Sequence, residues 1–399
     1  MRAFALCAAL AAALAASPFT LHLLDEAAYP MARCLDGSAP GFYFAPGSGS
    51  GASNWLIHTQ GGGWCGSDAD CASRANSALG SSRGWAPTGC DASTASTAPV
   101  CYADGGFAGM LSNESSVNPE LYNWNKVFIG YCDGGSYAGA RTAPVAVGSQ
   151  TIFYRGRYNL DGVYAELFKL GLASAGTVVI KGCSAGGLAV YLHLDYLAAK
   201  IRAASPSARV VGAPGAGFFL GEAKPFSGGG YLSTYQWVFD AHNVSGVVDG
   251  FSSTNDACLA ARAVSNDTWK CFVAPEVLPH IATPLFVSNS LTDAWQAGAV
   301  MGLGCSPAKP GGCSAAAMAY LADFRQQMLD LLEPVMAPGS PHGGFLQGCF
   351  VHVVEDVGGW GSVRVGGQTQ AQTFASWLTG GAGAKLAIDT FPPWSNPTC

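Results

Sequence analysis

The stretch Thr177-Val178-Val179-Ile180-Lys181-Gly182-Cys183-Ser184-Ala185-Gly186-Gly187-Leu188 decides the reading of this chain. Its β-branched apolar run predicts a strand, and the pattern from Leu188 predicts a helix that begins at once. The junction reads Gly-x-Ser-x-Gly, the sequence of a nucleophile elbow. A turn this sharp holds its serine in a strained backbone conformation, so the neighbouring residues must be small. The helix that follows aims its first N–H groups at the serine, where negative charge develops in acyl transfer. A phosphate-binding loop would need a Lys-Ser/Thr pair after the glycines, and none follows.

Working outward, short apolar runs alternate with helical patterns. Further strands are expected at Trp55-Leu56-Ile57, Val127 to Tyr131, Val210-Val211 and Leu285-Phe286-Val287. Helices are expected over Asp161 to Leu172, Leu188 to Ile201, Ala315 to Val335 and Gln370 to Leu378. Continuous apolar strands followed by helices indicate an α/β fold with a mostly parallel central sheet flanked by helices.

A serine nucleophile needs a base and an acid, in the chain order Ser, Asp or Glu, His. The histidines after Ser184 are His193, His242, His280, His342 and His352. His193 falls within the helix after the elbow, and His242 and His280 precede the best acid. His342 lies in Pro338-Gly339-Ser340-Pro341-His342-Gly343-Gly344, a loop composition. His352 lies in an apolar segment beside Cys349, where an anchored loop would hold an imidazole still, and rigidity favours it over His342. For the acid, Asp293 follows the end of the strand around Phe286, where catalytic groups gather in parallel sheets. An ordinary helix N-cap would use the same residue type. The oxyanion hole needs two backbone N–H groups, one expected from Ala185 and the other from the glycine loop Gln60-Gly61-Gly62-Gly63-Trp64-Cys65.

Composition narrows the classes. Of 399 residues, 49% are hydrophobic and 12% charged, and the net charge is -6. Without a Lys/Arg cluster, binding to nucleic acid is not expected. Residues 1–17, with Arg2 before an apolar run and Ala13-Leu14-Ala15 as a cleavage pattern, are expected to be a secretory signal peptide. No later stretch is long and apolar enough for a membrane span. The 14 cysteines fit an oxidising compartment. Close pairs are Cys65 with Cys71, Cys90 with Cys101, Cys258 with Cys271 and Cys305 with Cys313. Cys34, Cys132, Cys349 and Cys399 remain as long-range partners of open connectivity, and Cys183 is expected to stay a thiol. No Cys-x-x-Cys pair or finger spacing suggests a structural metal. Sequons occur at Asn113, Asn243 and Asn266. Segment 84–106, rich in Gly, Ser, Thr and Ala, reads as a surface excursion pinned by Cys90 and Cys101.

Taken in order, Asn54-Trp55-Leu56, Gly61-Gly62-Gly63-Trp64-Cys65, Tyr122-Asn123-Trp124-Asn125, Tyr131-Cys132-Asp133-Gly134, Gly182-Cys183-Ser184-Ala185-Gly186-Gly187 and Asp293-Ala294-Trp295-Gln296 resemble the pectin acetylesterase family. Its animal relatives are the Notum-type lipid-removing carboxylesterases. Cys183 before the serine is similar to the plant-type members. Gln60 departs from the pattern, since the family usually carries an acidic residue there. The resemblance implies an α/β-hydrolase-like fold over residues 30–399, disulfide-stabilised, with Ser184, Asp293 and His352 as a triad and no metal or organic cofactor. It further implies a secreted serine carboxylesterase that removes acetyl groups from a cell-wall polysaccharide such as pectin. A Notum-like deacylase of lipid-modified protein and a non-catalytic glycan-binding relative are the alternatives.

Overall fold

In the computed structural model, the described residues are 19–88, 109–221, 226–227, 231–307, 311–337, 339–355, 358–381, 383, 385–391 and 395–399. The expected signal segment and the Cys90–Cys101 pair fall outside them. Apolar runs sort into a nine-stranded sheet: β1 Thr20–Leu23, β2 Gly41–Ala45, β3 Trp55–Thr59, β4 Asn125–Ile129, β5 Thr177–Cys183, β6 Arg209–Gly215, β7 Phe286–Ser290, β8 Gly343–Gln347 and β9 Leu386–Ile388. Their spatial order is β1-β2-β4-β3-β5-β6-β7-β8-β9. The pairs β1–β2 and β2–β4 are antiparallel, and the pairs from β4 through β9 are parallel. The fold is α/β-hydrolase-like, as expected.

β5 lies at the middle of this sheet with Val178, Val179 and Ile180 at most 1% exposed. Burying each such side chain contributes about 1.5–3 kcal/mol, which is why the run is apolar on both faces. Helices cover the sheet: α1 Gly156–Lys169, α2 Ala185–Ala204, α3 Leu232–Ala241, α4 Ala315–Leu332 and α5 Gln370–Thr379. α5 carries a full capping box, with Thr369 and Gln372 each serving the other's backbone N–H. No helix among the described residues is long and apolar enough to cross a membrane.

Among the described residues, five disulfides join Cys34 to Cys132, Cys65 to Cys71, Cys258 to Cys271, Cys305 to Cys313 and Cys349 to Cys399. The three short pairs that lie in the described residues match the spacing argument, and the two long-range bridges are now resolved. Trp85 and Ala86, inside the segment read as a surface excursion from residue 84, are buried at 6% and 7% exposure, with the Trp85 ring against Gly130, and residues 89–106 of that segment lie outside the described residues. One reading needs correction. The composition around His342 suggested a surface loop, yet His342 is buried at the start of β8.

Candidate active site

The junction between β5 and α2 has the geometry its sequence implies. Ser184 sits at φ 55 and ψ -126, a region an L-residue occupies only under constraint. The constraint is visible in its neighbours. The Ser184 N–H donates to the Gly215 carbonyl at 2.9 Å, and the Thr59 hydroxyl donates to the Lys181 and Gly186 carbonyls at 3.1 and 2.9 Å. A Cβ on Gly182 would lie 2.1 Å from the Gly186 carbonyl oxygen, so this position admits no side chain. Cys183 remains a thiol, with its Sγ 3.9 Å from His58 Nε2.

The structure brings Ser184, His352 and Asp293 together at the C-terminal ends of β5, β7 and β8. His352 Nε2 lies 2.9 Å from Ser184 Oγ, and His352 Nδ1 lies 2.8 and 3.0 Å from the two oxygens of Asp293. Ser184 and His352 are partly exposed, while Asp293 is fully buried. Asp293 also accepts the Gln296 N–H at 2.9 Å, and its carbonyl receives the Ala297 N–H. Asp293 therefore both caps a helical turn and faces the imidazole. The cap fixes the carboxylate's rotamer, so one oxygen remains aimed at His352.

The loop carrying His352 is tied on two sides. Before it, Cys349 is bonded to Cys399. After it, Glu355 forms a buried ion pair with Lys181 at 2.7 Å and accepts from Gln370 at 2.5 Å. Lys181 belongs to β5, so the His352 loop is joined directly to the strand that ends at Ser184. His342 is elsewhere. Its Nδ1 accepts the Leu285 N–H at 3.1 Å at the opposite end of the strands, and burial holds its pKa below the usual value.

The glycine loop faces Ser184 from the other side. Gly61 is buried, Gly62 is exposed and Gly63 is intermediate. A Cβ on Gly61 would fall 2.8 Å from the Ser184 Cβ, which places this loop directly beside the nucleophile position. Gly62 and Gly63 have φ of 144 and 68, values that favour glycine. Their carbonyls are held: Arg74 donates to the Gly62 oxygen at 2.8 Å, and the Tyr131 hydroxyl to the Gly63 oxygen at 2.8 Å. Gln60, where the family usually has an acid, accepts the Tyr131 N–H at 2.9 Å. Ala185 is fully buried at the start of α2.

Sequence reasoning missed the aromatic wall of the site. Trp295 and Phe219 lie 5.7 and 6.2 Å from the His352 ring, centroid to centroid. Trp64 packs edge-on against Phe219 at 5.0 Å, Tyr235 at 5.2 Å and Trp295 at 5.9 Å. These rings come from four separate segments, so no local periodicity announces them. Gln296 was missed too; it bridges the Phe218 carbonyl and the Leu220 N–H.

The family model described as Pectinacetylesterase matches residues 12–399. Pectin acetylesterase 7 of Arabidopsis thaliana is 32% identical over 94% of this chain and 91% of its own. Pectin acetylesterase 5 of the same plant is 32% identical over 92% and 82%. Palmitoleoyl-protein carboxylesterase notum1 of Xenopus laevis is 26% identical over 95% and 74%. Among solved structures, the Wnt deacylase Notum from Drosophila shares the fold, with a TM-score of 0.77 at 22% identity over 96% of this chain and 99% of that one. A sheet that carries an elbow serine beside a histidine and a buried aspartate, in a chain matched from residue 12 to 399, belongs to the pectin acetylesterase family of carboxylic-ester hydrolases.

Proposed function

We propose that this chain is a secreted serine esterase that removes acetyl groups from a cell-wall polysaccharide, with Ser184 as nucleophile, His352 as base and Asp293 as the acid. The observation that carries the reading is the continuous hydrogen-bonded line from Ser184 Oγ through the His352 ring to Asp293, at 2.9 and 2.8 Å. With Nδ1 protonated and held by Asp293, Nε2 presents a lone pair to the serine hydroxyl. His352 takes that proton as Ser184 attacks the ester carbonyl, and Asp293 stabilises the imidazolium that forms. The proton then passes to the leaving alcohol, and water hydrolyses the acyl-serine by the same steps. The N–H groups of Ala185, Gly62 and Gly63 are the proposed donors to the oxyanion. Five disulfides support secretion, with residues 1–17 as the signal peptide and residues 30–399 as one catalytic domain.

The acetyl preference rests on Trp64, Phe219, Tyr235 and Trp295, whose contacting rings occupy the space beside His352. Extra methylenes of a longer acyl chain would have to displace packed rings. The net charge of -6 weakens the case for densely anionic pectin over a neutral acetylated glycan. The decisive experiment compares kcat/KM for acetyl to octanoyl esters, with acetate release from acetylated pectin and acetylated xylan. Efficiency should fall with acyl length, and Ser184→Ala should lose activity by about 10⁴-fold or more while remaining folded. Efficiency that rises to octanoyl, with no acetate released from either polymer, would move the chain to the lipid-deacylase reading. Equal release from both would retain the esterase and discard pectin as its particular substrate.

A further inference from the structure

Ser136 lies outside the catalytic line, yet all of its polar groups are directed at the parts that surround Ser184. Its hydroxyl donates to the Ala185 carbonyl at 2.7 Å and accepts from the Trp64 indole N–H at 2.7 Å. Its N–H donates to the Tyr131 hydroxyl at 3.0 Å, and that hydroxyl donates onward to the Gly63 carbonyl at 2.8 Å. Its carbonyl lies 3.2 Å from His193 Nε2 on α2. Ser136 is fully buried, as is Tyr131, and Trp64 is 6% exposed. Two routes therefore run from one serine to the glycine loop, and one runs to the first residue of α2.

The backbone confirms that this arrangement is imposed. Ser136 and Tyr137 are both left-handed, at φ 53 and 58. A non-glycine pair in that region stores strain, and it persists only where surrounding bonds over-determine it. Asp133 supplies them by accepting the Gly135 and Tyr137 N–H groups at 3.1 and 2.9 Å. The Tyr137 hydroxyl adds bonds to the Gln60 and Ile129 carbonyls at 3.2 and 3.0 Å.

Orientation follows from the planar peptide. In a trans unit the N–H points opposite to the carbonyl, and the described residues contain no cis bond. Fixing the Gly62 and Gly63 oxygens through Arg74 and Tyr131 therefore fixes the directions of the Gly63 and Trp64 N–H groups. Holding the Ala185 oxygen fixes the Gly186 N–H in the same way and pins the position of Ala185 itself at the start of the helix. We propose that Ser136 is a positioning residue that sets the glycine-loop and Ala185 halves of the oxyanion site at their working separation. This rests on the reading of Ser184 as the nucleophile.

The test uses the full secreted chain with Ser136→Ala, Ser136→Gly and Tyr131→Phe. Turnover of p-nitrophenyl acetate is measured beside inhibition by a methyl trifluoromethyl ketone, which adds the serine oxygen to give a tetrahedral oxyanion. The acetamide isostere of that ester, 4'-nitroacetanilide, reports ground-state binding. Each variant should lose about 10- to 100-fold in kcat with KM changed less than about threefold, because misaligned donors weaken only the transition state. Ketone affinity should fall by the same factor as kcat/KM, and acetamide affinity should hold.

Lost turnover with unchanged ketone affinity would overturn the proposal, because the defect would then be structural. Wild-type kcat in Ser136→Ala would do the same. Recovery in Ser136→Gly, which relieves the strained φ without restoring the hydroxyl, would assign the effect to strain and likewise overturn it. If Ser136→Ala does not fold, Tyr131→Phe carries the test, since it cuts the link from Ser136 to Gly63 alone. Full activity in Ser184→Ala, or a wild type indifferent to the ketone, would instead sink the nucleophile reading.

Discussion

The two walls of the site are held by different physics. The base side, around His352, is fixed by the buried Lys181–Glu355 ion pair and by a disulfide spanning 50 residues of sequence. The glycine side, around Gly62 and Gly63, is fixed mainly by neutral hydrogen bonds through Tyr131, Ser136 and Trp64, with a disulfide spanning only 6 residues. The difference fits the proposed chemistry. A base loop must present one side chain at one distance, and a strong anchor at either end suffices. An oxyanion site must aim several backbone N–H groups at once, which needs many short directional bonds. Arg74 is the one charged group among those bonds, and it meets a carbonyl rather than a carboxylate.

Breaking the base side at its acid should give the largest effect. Asp293→Asn should lower kcat by about 10⁴-fold, because the wrong imidazole tautomer would face Ser184. His342→Asn, which keeps an acceptor for the Leu285 N–H, should leave kcat near wild type. Inactivation by His342→Asn together with an active His352→Ala would reverse the assignment.

Glu355→Gln comes next. Removing one partner of a buried pair costs about 3–5 kcal/mol, read as a lower midpoint in urea. Trp64→Phe, the neutral counterpart on the other wall, removes one hydrogen bond and should cost about 1–3 kcal/mol. Equal losses would erase the distinction between a charged and an uncharged anchor. The disulfides sharpen it further. Chain-entropy arithmetic gives about 4 kcal/mol for the 50-residue bridge and about 2 kcal/mol for the 6-residue one. Paired Cys→Ser variants compared by thermal unfolding should follow that order.

Acid should act on the glycine side. His193, hydrogen-bonded to Ser136, and His242, against Gly135, are pushed down to about 3 by burial, with Arg157 adding at His193 and Arg141 and Arg74 at His242. A folded pKa below the unfolded value of about 6.5 gives stability that is complete above 6.5 and is lost as pH falls toward 3. Asp133 on the same loop acts in the opposite sense. Burial lifts it to about 7, so its contribution is present at low pH and lost as pH rises through 7. His242 lies tilted against the Tyr154 ring, 4.3 Å between centroids, with neither ring nitrogen bonded. His242→Phe should therefore fold and should flatten the acid limb of a stability–pH curve, by on the order of 1 kcal/mol per pH unit below 6.5. An unchanged limb would place the acid sensitivity elsewhere. The smallest effect is expected for Cys183→Ser, an exchange of similar volume that should change kcat/KM by less than about threefold.

The sequence carried the elbow, the order Ser184, Asp293, His352 and the central strands because each is a local signal. A β-branched run, small residues about a serine, and an aspartate just past an apolar strand all sit within a few residues. β8 was not legible, because Gly343 and Gly344 make half of it resemble the loop before it. β1 and β2 are short and meet the sheet antiparallel at its edge. α3 lies among aromatic residues whose order is set by Trp64, far away in sequence. The same reason hid Ser136 and Glu355: each matters through partners that only the folded sheet assembles.

The bond from Cys349 to Cys399 also orders events in time. During synthesis Ser184 emerges first, then Asp293, then His352, but the disulfide that anchors the loop carrying His352 cannot form until residue 399 has been made. A nascent chain would thus hold every reactive side chain well before the base loop is locked in place. Translation that stops anywhere before 399 would leave that loop without its disulfide anchor, however intact the sheet beneath it.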